Sequence, residues 1–295
     1  MFQNILGNNK IKESLQESVI NDKVSHSYLF IGMSGIGKKL IAKEFAKAIL
    51  CLGNEKYCNN CKSCLEFDGE NNPDFSIIEP DGNTIKIEQI RDMQRRVQEK
   101  PIISSKKVYI IDNADQMTKE AQNALLKTLE EPPEFVTIIL IGENENEFLA
   151  TIKSRCMILH FNPINNLNMK KYLEDNYDMN VTSNMLDVFQ GSIGKAIELK
   201  DKQEEYLIIE QAIENIENED LIDLIKKLDI LYTSKDEILD MLDYINIILL
   251  KKSKEDIKYT DCIKIVEDTK RRITQNANYD MSIDNMLFNI WEEVV

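Results

Sequence analysis

The pattern of apolar and polar positions changes near residue 162. Before that point, short apolar runs alternate with segments of helical periodicity, a pattern typical of a parallel sheet joined by helical crossovers. Each run is short and bounded by polar residues, as expected when helices cover both faces of the sheet. The runs predict strands at 27–31, 74–79, 107–112, 136–142 and 156–161, with helices at 87–99 and 119–130.

After Asn162 and Pro163 only helical periodicity remains. Short helices are predicted at 168–177, 183–190 and 195–199, and apolar residues share one helix face from about residue 204 onward. The layout therefore predicts three parts: an α/β domain over 1–162, a small helical domain over 163–203 and an all-helical domain over 204–295.

Composition narrows the class of protein. No run approaches the roughly 18 apolar residues that a membrane helix needs, and the N-terminus has no basic segment followed by an apolar stretch. The net charge of −15 argues against a protein that coats nucleic acid with its whole surface, although a local basic patch stays compatible with it. We expect a cytoplasmic protein of bacterial type with no membrane association.

Four of the six cysteines lie in one short stretch, Cys51, Cys58, Cys61 and Cys64. In a cytoplasmic chain, thiolates this close together favour a tetrahedral Zn²⁺ site with bonds of about 2.3 Å. Two disulfides in a secreted chain, or four thiols without metal, are the alternatives. No histidine or carboxylate at a fitting position offers a fifth ligand, and no coordination place is left open. We therefore expect a structural zinc site rather than a catalytic one.

A phosphate-binding loop runs from Gly32 between a predicted strand and a predicted helix. Gly32, Gly35 and Gly37 favour a loop whose backbone N–H groups bind phosphate, and Lys38 reaches the terminal phosphates. The next position normally holds Ser or Thr, whose hydroxyl binds Mg²⁺, but here it is Lys39, and an ammonium group cannot ligate a cation. The sequence predicts a degenerate nucleotide site, and both ATP binding without hydrolysis and loss of ATP binding fit it.

The apolar run at 107–112 ends in Asp112, the position at which nucleotide-hydrolysing proteins hold Mg²⁺. The adjacent position, which should carry a glutamate that activates water, is Asn113, and an amide has no titratable carboxylate. Asp115 lies two residues further along a turning backbone and is expected to point elsewhere. We therefore do not expect this chain to turn over ATP by itself.

Four segments resemble the clamp-loader branch of the AAA+ ATPases: His26–Phe30, Asp112–Met117, Ala124–Pro132 and Ser154–Cys156. The resemblance covers residues 1 to about 200 in detail and the remainder in general layout, and the four-cysteine insertion belongs to the bacterial members. It implies a P-loop α/β domain with a zinc insertion, a three-helix lid at 163–203 and an all-helical collar domain at 204–295 that assembles the complex.

Within this family the chain is similar to delta-prime subunits of DNA polymerase III rather than to the ATP-hydrolysing gamma/tau subunits, which carry Lys-Thr in the loop. The resemblance implies delta and gamma/tau subunits as partners, with the β sliding clamp and primed-template DNA reached through the complex. Polymerase activity would come only through membership of the holoenzyme. The alternatives are an ATP-hydrolysing motor subunit and, ranked last, a zinc-dependent nucleic-acid-binding module.

The family also assigns roles to three further positions. Its Ser-Arg-Cys motif carries an arginine finger that reaches the γ-phosphate bound by a neighbouring subunit, which makes Arg155 the candidate catalytic residue in trans. From the sequence without the resemblance, a loop cap or a pairing with a nearby carboxylate is the default interpretation of Arg155. Gly194 occupies the position of the lid arginine that senses the γ-phosphate, and Asn144 falls where the first sensor lies.

A locally basic window spans residues 86–107, with seven basic and three acidic side chains. Arg91 and Arg95 lie one turn apart on its predicted helix. The resemblance makes this helix a candidate for contacts with DNA phosphates, which would be independent of base sequence and sensitive to salt. A solvated helix face is an equally weighted interpretation.

Overall fold

The computed structural model describes residues 1–3 and 5–295, which divide into two compact units. The N-terminal unit comprises residues 1–165 together with 192–194, and the C-terminal unit comprises 166–191 and 195–295. The division into three parts with boundaries at residues 162 and 203 stays a prediction.

A five-stranded parallel sheet forms the centre of the N-terminal unit, in the order β2-β3-β4-β1-β5. All five predicted strands are confirmed, three of them with slightly shorter ends. The three central strands are buried along their whole length, and they are mostly apolar, with Ser27, Lys107 and Thr137 as their buried polar residues. The strands are β1 (Ser27–Ile31), β2 (Phe75–Ile78), β3 (Lys107–Ile111), β4 (Val136–Gly142) and β5 (Met157–His160).

Helices cover both faces of this sheet. Successive residues of β1 point to opposite faces, so Tyr28 and Phe30 join the core beneath α1 and α2, while Leu29 joins the core beneath α4 and α5. Helix α5 begins where the Thr118 hydroxyl accepts a hydrogen bond from the Ala121 N–H. The helices are α1 (Asn9–Ile20), α2 (Lys38–Leu50), α3 (Lys62–Asp68), α4 (Ile87–Val97), α5 (Lys119–Glu130) and α6 (Ala150–Lys153).

The C-terminal unit is helical. Its longest helices, α13 to α15, bury apolar faces that include Leu242, Val266 and Leu287. The helices predicted at 168–177, 183–190 and 195–199 are confirmed within two residues at each end. The helices are α7 (Asn166–Tyr177), α8 (Ser183–Phe189), α9 (Ile193–Glu198), α10 (Gln203–Glu214), α11 (Leu221–Lys227), α12 (Ile230–Thr233), α13 (Ile238–Lys252), α14 (Tyr259–Thr274) and α15 (Tyr279–Val294).

Among the residues described, no helix combines the length and the apolar character that crossing a lipid bilayer would require.

Candidate nucleotide site and arginine finger

The phosphate loop connects β1 to α2, as the sequence predicts. Gly35 and Gly37 adopt left-handed backbone conformations, with φ of 71° and 92°, which glycine reaches without a steric cost. At Gly32 a Cβ atom would lie 2.8 Å from the carbonyl oxygen of Phe161, so a side chain has no room there. The glycine spacing therefore follows from the path of the loop at the carboxyl end of the sheet.

Lys38 turns back onto its own loop. Its Nζ donates hydrogen bonds to the carbonyl oxygens of Gly32, at 2.5 Å, and Met33, at 2.6 Å, and the residue is 7% exposed. Burial lowers the pKa of Lys38, and the negative charges of Glu143, Asp115 and Asp112 act in the opposite direction. The ammonium group is thus bound to carbonyl oxygens of its own loop, with three carboxylates acting on its charge.

Lys39 forms the central ion pairs of the site. Its Nζ lies 2.5 Å from Glu79 Oε1 and 2.8 Å from Asp112 Oδ2. The two carboxylates follow β2 and β3, adjacent parallel strands whose carboxyl ends meet at one edge. Burial lowers the pKa of Lys39, but hydrogen bonds to both carboxylates outweigh it and raise the pKa overall. The same hydrogen bond from Lys39 is the main cause of a lowered pKa for Glu79.

The sequence predicted Asp112 at this site but did not predict Glu79. The available signal was its position, since Glu79 ends the strand predicted at 74–79 just as Asp112 ends the strand predicted at 107–112. Carboxyl ends of parallel strands lie together, so both residues were candidates for the same edge.

The segment after β4 is fixed by Asp115. Its Oδ2 accepts hydrogen bonds from the backbone N–H groups of Glu143, at 2.9 Å, and Asn144, at 3.3 Å. The Asn144 side chain in turn accepts from the N–H of Asn146 at 3.0 Å. Asn144, the candidate first-sensor residue, therefore caps its own turn in this structure.

Gly194 packs directly on the phosphate loop. Its N–H donates to the carbonyl oxygen of Gly35 at 2.9 Å, and a Cβ atom at residue 194 would lie 2.8 Å from Gly35 Cα. Because that distance is shorter than real Cβ contacts allow, only glycine fits this approach. Close backbone packing therefore occupies the position at which the resemblance predicts a sensing arginine.

Arg155 lies just beyond α6 with about one third of its side chain exposed. Its Nη2 is 2.7 Å from Glu130 Oε1, and its Nη1 donates to the Thr151 carbonyl oxygen at 2.9 Å. The Arg155 carbonyl oxygen accepts from the Ser27 hydroxyl at 2.6 Å, which ties this turn to β1. The carboxylate pairing that the sequence alone favours is therefore present, on a side chain that still reaches the surface.

The four clustered cysteines come from the end of α2, the following loop and α3. Their sulfur atoms all lie within 4.8 Å of one another, and the Cys51 and Cys58 sulfurs are 3.5 Å apart. A tetrahedral site with Zn–S bonds of about 2.3 Å separates its sulfurs by about 3.8 Å, so four thiolates in this arrangement fit a zinc ion. The cysteines are Cys51, Cys58, Cys61 and Cys64.

Arg91 and Arg95 line a cleft of about 830 Å³ between α4 and α5. Lys127 adds a third positive charge from α5, but three acidic side chains line the same cleft, and Arg95 is paired with one of them, Asp92. The cleft is therefore close to neutral. Its lining residues are Glu88, Arg91, Asp92, Gln94, Arg95, Gln98, Lys127, Thr128 and Glu131.

Comparison with known proteins identifies relatives of the chain. It is 37% identical over 200 residues to DNA polymerase III subunit delta' of Bacillus subtilis, covering 66% of this chain and 60% of that protein. It is 38% identical over 165 residues to DNA polymerase III subunit tau of the same organism, covering 55% of this chain and 29% of that protein. The matches thus span less than two thirds of either relative's length.

A solved structure supports the fold. The gamma subunit-related protein of DNA polymerase III from Thermotoga maritima is 18% identical, covers 97% of this chain and 99% of that one, and has a TM-score of 0.50. Residues 7–165, more than half of the chain, match the family model described as DNA polymerase III, delta subunit. These residues contain the whole sheet, the phosphate loop, the cysteine cluster and Arg155, and the chain therefore belongs to the family described as DNA polymerase III, delta subunit.

Proposed function

We propose that this chain acts as the delta-prime subunit of a DNA polymerase III clamp loader. In this role it joins delta and gamma/tau subunits in a complex that places the β sliding clamp on primed-template DNA. Support comes from the family match over residues 7–165 and from the 37% identity to the B. subtilis delta' subunit over 66% of this chain. Residues 163–203 would form the lid and residues 204–295 the collar through which the complex assembles.

The observation that carries the proposal is the exposure and the ion pairing of the Arg155 guanidinium. Its guanidinium is at the surface and is held by an ion pair with Glu130, whose side chain is half exposed. An exposed pair of this kind contributes only about 0–1 kcal/mol, so the guanidinium can leave Glu130 for a phosphate oxygen of a neighbouring subunit at little cost. A planar, permanently charged donor then stabilises the charge that develops during phosphoryl transfer.

The chain's own nucleotide site would not hydrolyse ATP. Lys39 replaces the hydroxyl that binds Mg²⁺, Asn113 replaces the general base and Gly194 replaces the sensing arginine. Each of these groups supplies a separate part of phosphoryl transfer, and their combined loss removes the metal, the base and the charge sensor together. The subunit would then donate catalysis through Arg155 without performing it.

The cysteine cluster would hold Zn²⁺ in a structural role. A closed four-thiolate site supplies folding energy to a short loop that has no core of its own. Arg91 and Arg95 would contact DNA phosphates without base specificity, and Arg95 would first exchange its ion pair with Asp92 for a phosphate oxygen.

ATP hydrolysis by a reconstituted complex tests the proposal. The complex contains delta, the β clamp, primed DNA and gamma/tau subunits inactivated at every site except the one that faces this chain. Arg155→Ala is expected to lower turnover at that site at least 100-fold, whereas Lys10→Ala, at an exposed cationic residue of α1 outside the proposed collar, leaves it unchanged.

Two results would contradict the proposal. Unchanged turnover in the Arg155→Ala complex would remove the trans-acting role of that arginine. Turnover by the isolated chain that is abolished by Lys38→Ala would favour the motor-subunit alternative, in which this chain hydrolyses ATP itself.

A further inference from the structure

The ammonium group of Lys39 ties the phosphate loop of this chain to the sheet. Both carboxylate oxygens of Asp112 have donors: Oδ2 lies 2.8 Å from Lys39 Nζ, and Oδ1 accepts from the Asn113 N–H at 3.2 Å. Lys39 also reaches Glu79, so one ammonium group joins the first turn of α2 to the ends of β2 and β3. These three elements surround the position at which a P-loop protein holds its metal.

An ammonium group in this position competes with a divalent cation. Mg²⁺ requires oxygen ligands at about 2.0–2.1 Å in near-octahedral geometry, and Lys39 supplies no oxygen from the residue that normally does so. Its positive charge also repels a second cation beside Asp112. Asp112 is largely buried, which reduces the screening of that repulsion by water.

We propose that the Lys39 ammonium takes the place of the divalent cation in this site, pairing Asp112 with Glu79 and excluding the metal–nucleotide complex. The lysine at position 39 then does more than remove a metal ligand, because it determines which ligand the loop accepts. The inference rests on the proposed function only in taking ATP as the nucleotide. Its test requires neither partner subunits nor ATP hydrolysis.

Binding of Mn²⁺ to the full-length chain tests the proposal, because Mn²⁺ is a paramagnetic substitute for Mg²⁺ that can be measured by water-proton relaxation. The titration is done with and without ATP. Lys39→Thr restores a hydroxyl and removes the ammonium group, and Lys39→Met removes the charge while keeping a long side chain. Lys43→Thr is the matched control for charge near the site, since Lys43 lies one turn further along α2 and its charge acts on Glu79, whereas Lys39 forms the ion pairs with Glu79 and Asp112.

Lys39→Thr is expected to bind Mn²⁺ in the presence of ATP at least tenfold more tightly than the natural chain, and Lys39→Met is expected to gain weaker binding of Mn²⁺ alone. Addition of Asp112→Asn to Lys39→Thr should remove the gain. Thermal melting of each variant establishes that it is folded.

Three results would overturn the proposal. The natural chain would bind Mn²⁺ with ATP as tightly as Lys39→Thr does, or neither Lys39 variant would gain affinity. In the third, Lys43→Thr would gain as much as Lys39→Thr, which would assign the effect to overall charge rather than to the Lys39 position. A failure of the Arg155 experiment leaves each of these measurements unaffected.

Discussion

Replacing Asp74 with asparagine tests how the zinc insertion and the edge of the sheet are held together. Asp74 is 2% exposed and precedes β2. Its carboxylate accepts three backbone hydrogen bonds, from the N–H groups of Ile102 at 2.7 Å, Ile103 at 2.8 Å and Ser104 at 2.7 Å. The Ser104 hydroxyl continues the network by donating to the Leu50 carbonyl oxygen at 2.8 Å.

The expected loss of stability follows from these contacts. A hydrogen bond to a charged group contributes about 1.5–3 kcal/mol, roughly twice the value for a neutral one. Asparagine keeps one acceptor oxygen and turns an NH₂ group towards an N–H donor, so at least one of the three bonds is lost and the others become neutral. We expect Asp74→Asn to lower the free energy of unfolding by about 3–5 kcal/mol.

Urea unfolding measures the loss. Far-UV circular dichroism follows both units, while Trp291, the chain's single tryptophan, reports on the C-terminal unit. With a denaturant slope of about 2 kcal/mol per molar urea, the transition of the N-terminal unit should move by about 2 M. Asp92→Asn is the control, because it removes a carboxylate whose ion pair is exposed and is expected to change stability by less than about 1 kcal/mol.

A shift in Asp74→Asn no larger than that of Asp92→Asn would refute this reasoning, because the three N–H groups would then find other partners at no cost.

Three further predictions concern the loop and the metal. Gly194→Ala should cost about 1–3 kcal/mol in thermal melting because its Cβ meets the Gly35 backbone, whereas Gly69→Ala, with its nearest contacts at 3.5 Å, should cost less. Glu79→Gln should destabilise the chain at pH 7. The difference in stability between this variant and the natural chain should decrease as the pH falls through the lowered pKa of Glu79, because a carboxyl group with a lowered pKa in the folded state stabilises the fold only while it is ionised. Chelation should release one zinc per chain and lower the melting temperature of the N-terminal unit by at least about 5 °C, and Cys61→Ser should already contain less than stoichiometric zinc.

Much of the fold is visible in the sequence because it depends on local patterns. The strands β1 and β4 are mostly apolar runs, and their observed bounds coincide with those predicted. Helix α5 carries its own start and stop signals, Thr118 and the two prolines at 132 and 133. The cysteine cluster was predictable for the same reason, since all four ligands lie within one short segment.

The contacts of the candidate site were not predictable, because they join residues far apart in the chain. Lys39 and Glu79 are in contact only because the phosphate loop after β1 and the residue after β2 both lie at the carboxyl ends of the parallel strands. Gly194 reaches Gly35 only through the path of the chain after α8, and no periodicity in the sequence encodes that approach.

By itself the sequence determined the α/β unit, the glycine loop, the set of four clustered cysteines and the residues that depart from the family pattern. Short-range periodicity and residue chemistry suffice for these features. The tertiary structure alone decided that Lys39 pairs Glu79 with Asp112, that Arg155 rests on Glu130 and that Asp74 binds the loop at 102–104. Each of these pairings depends on strand order and helix packing, which bring distant charges within hydrogen-bond distance and which no local pattern specifies.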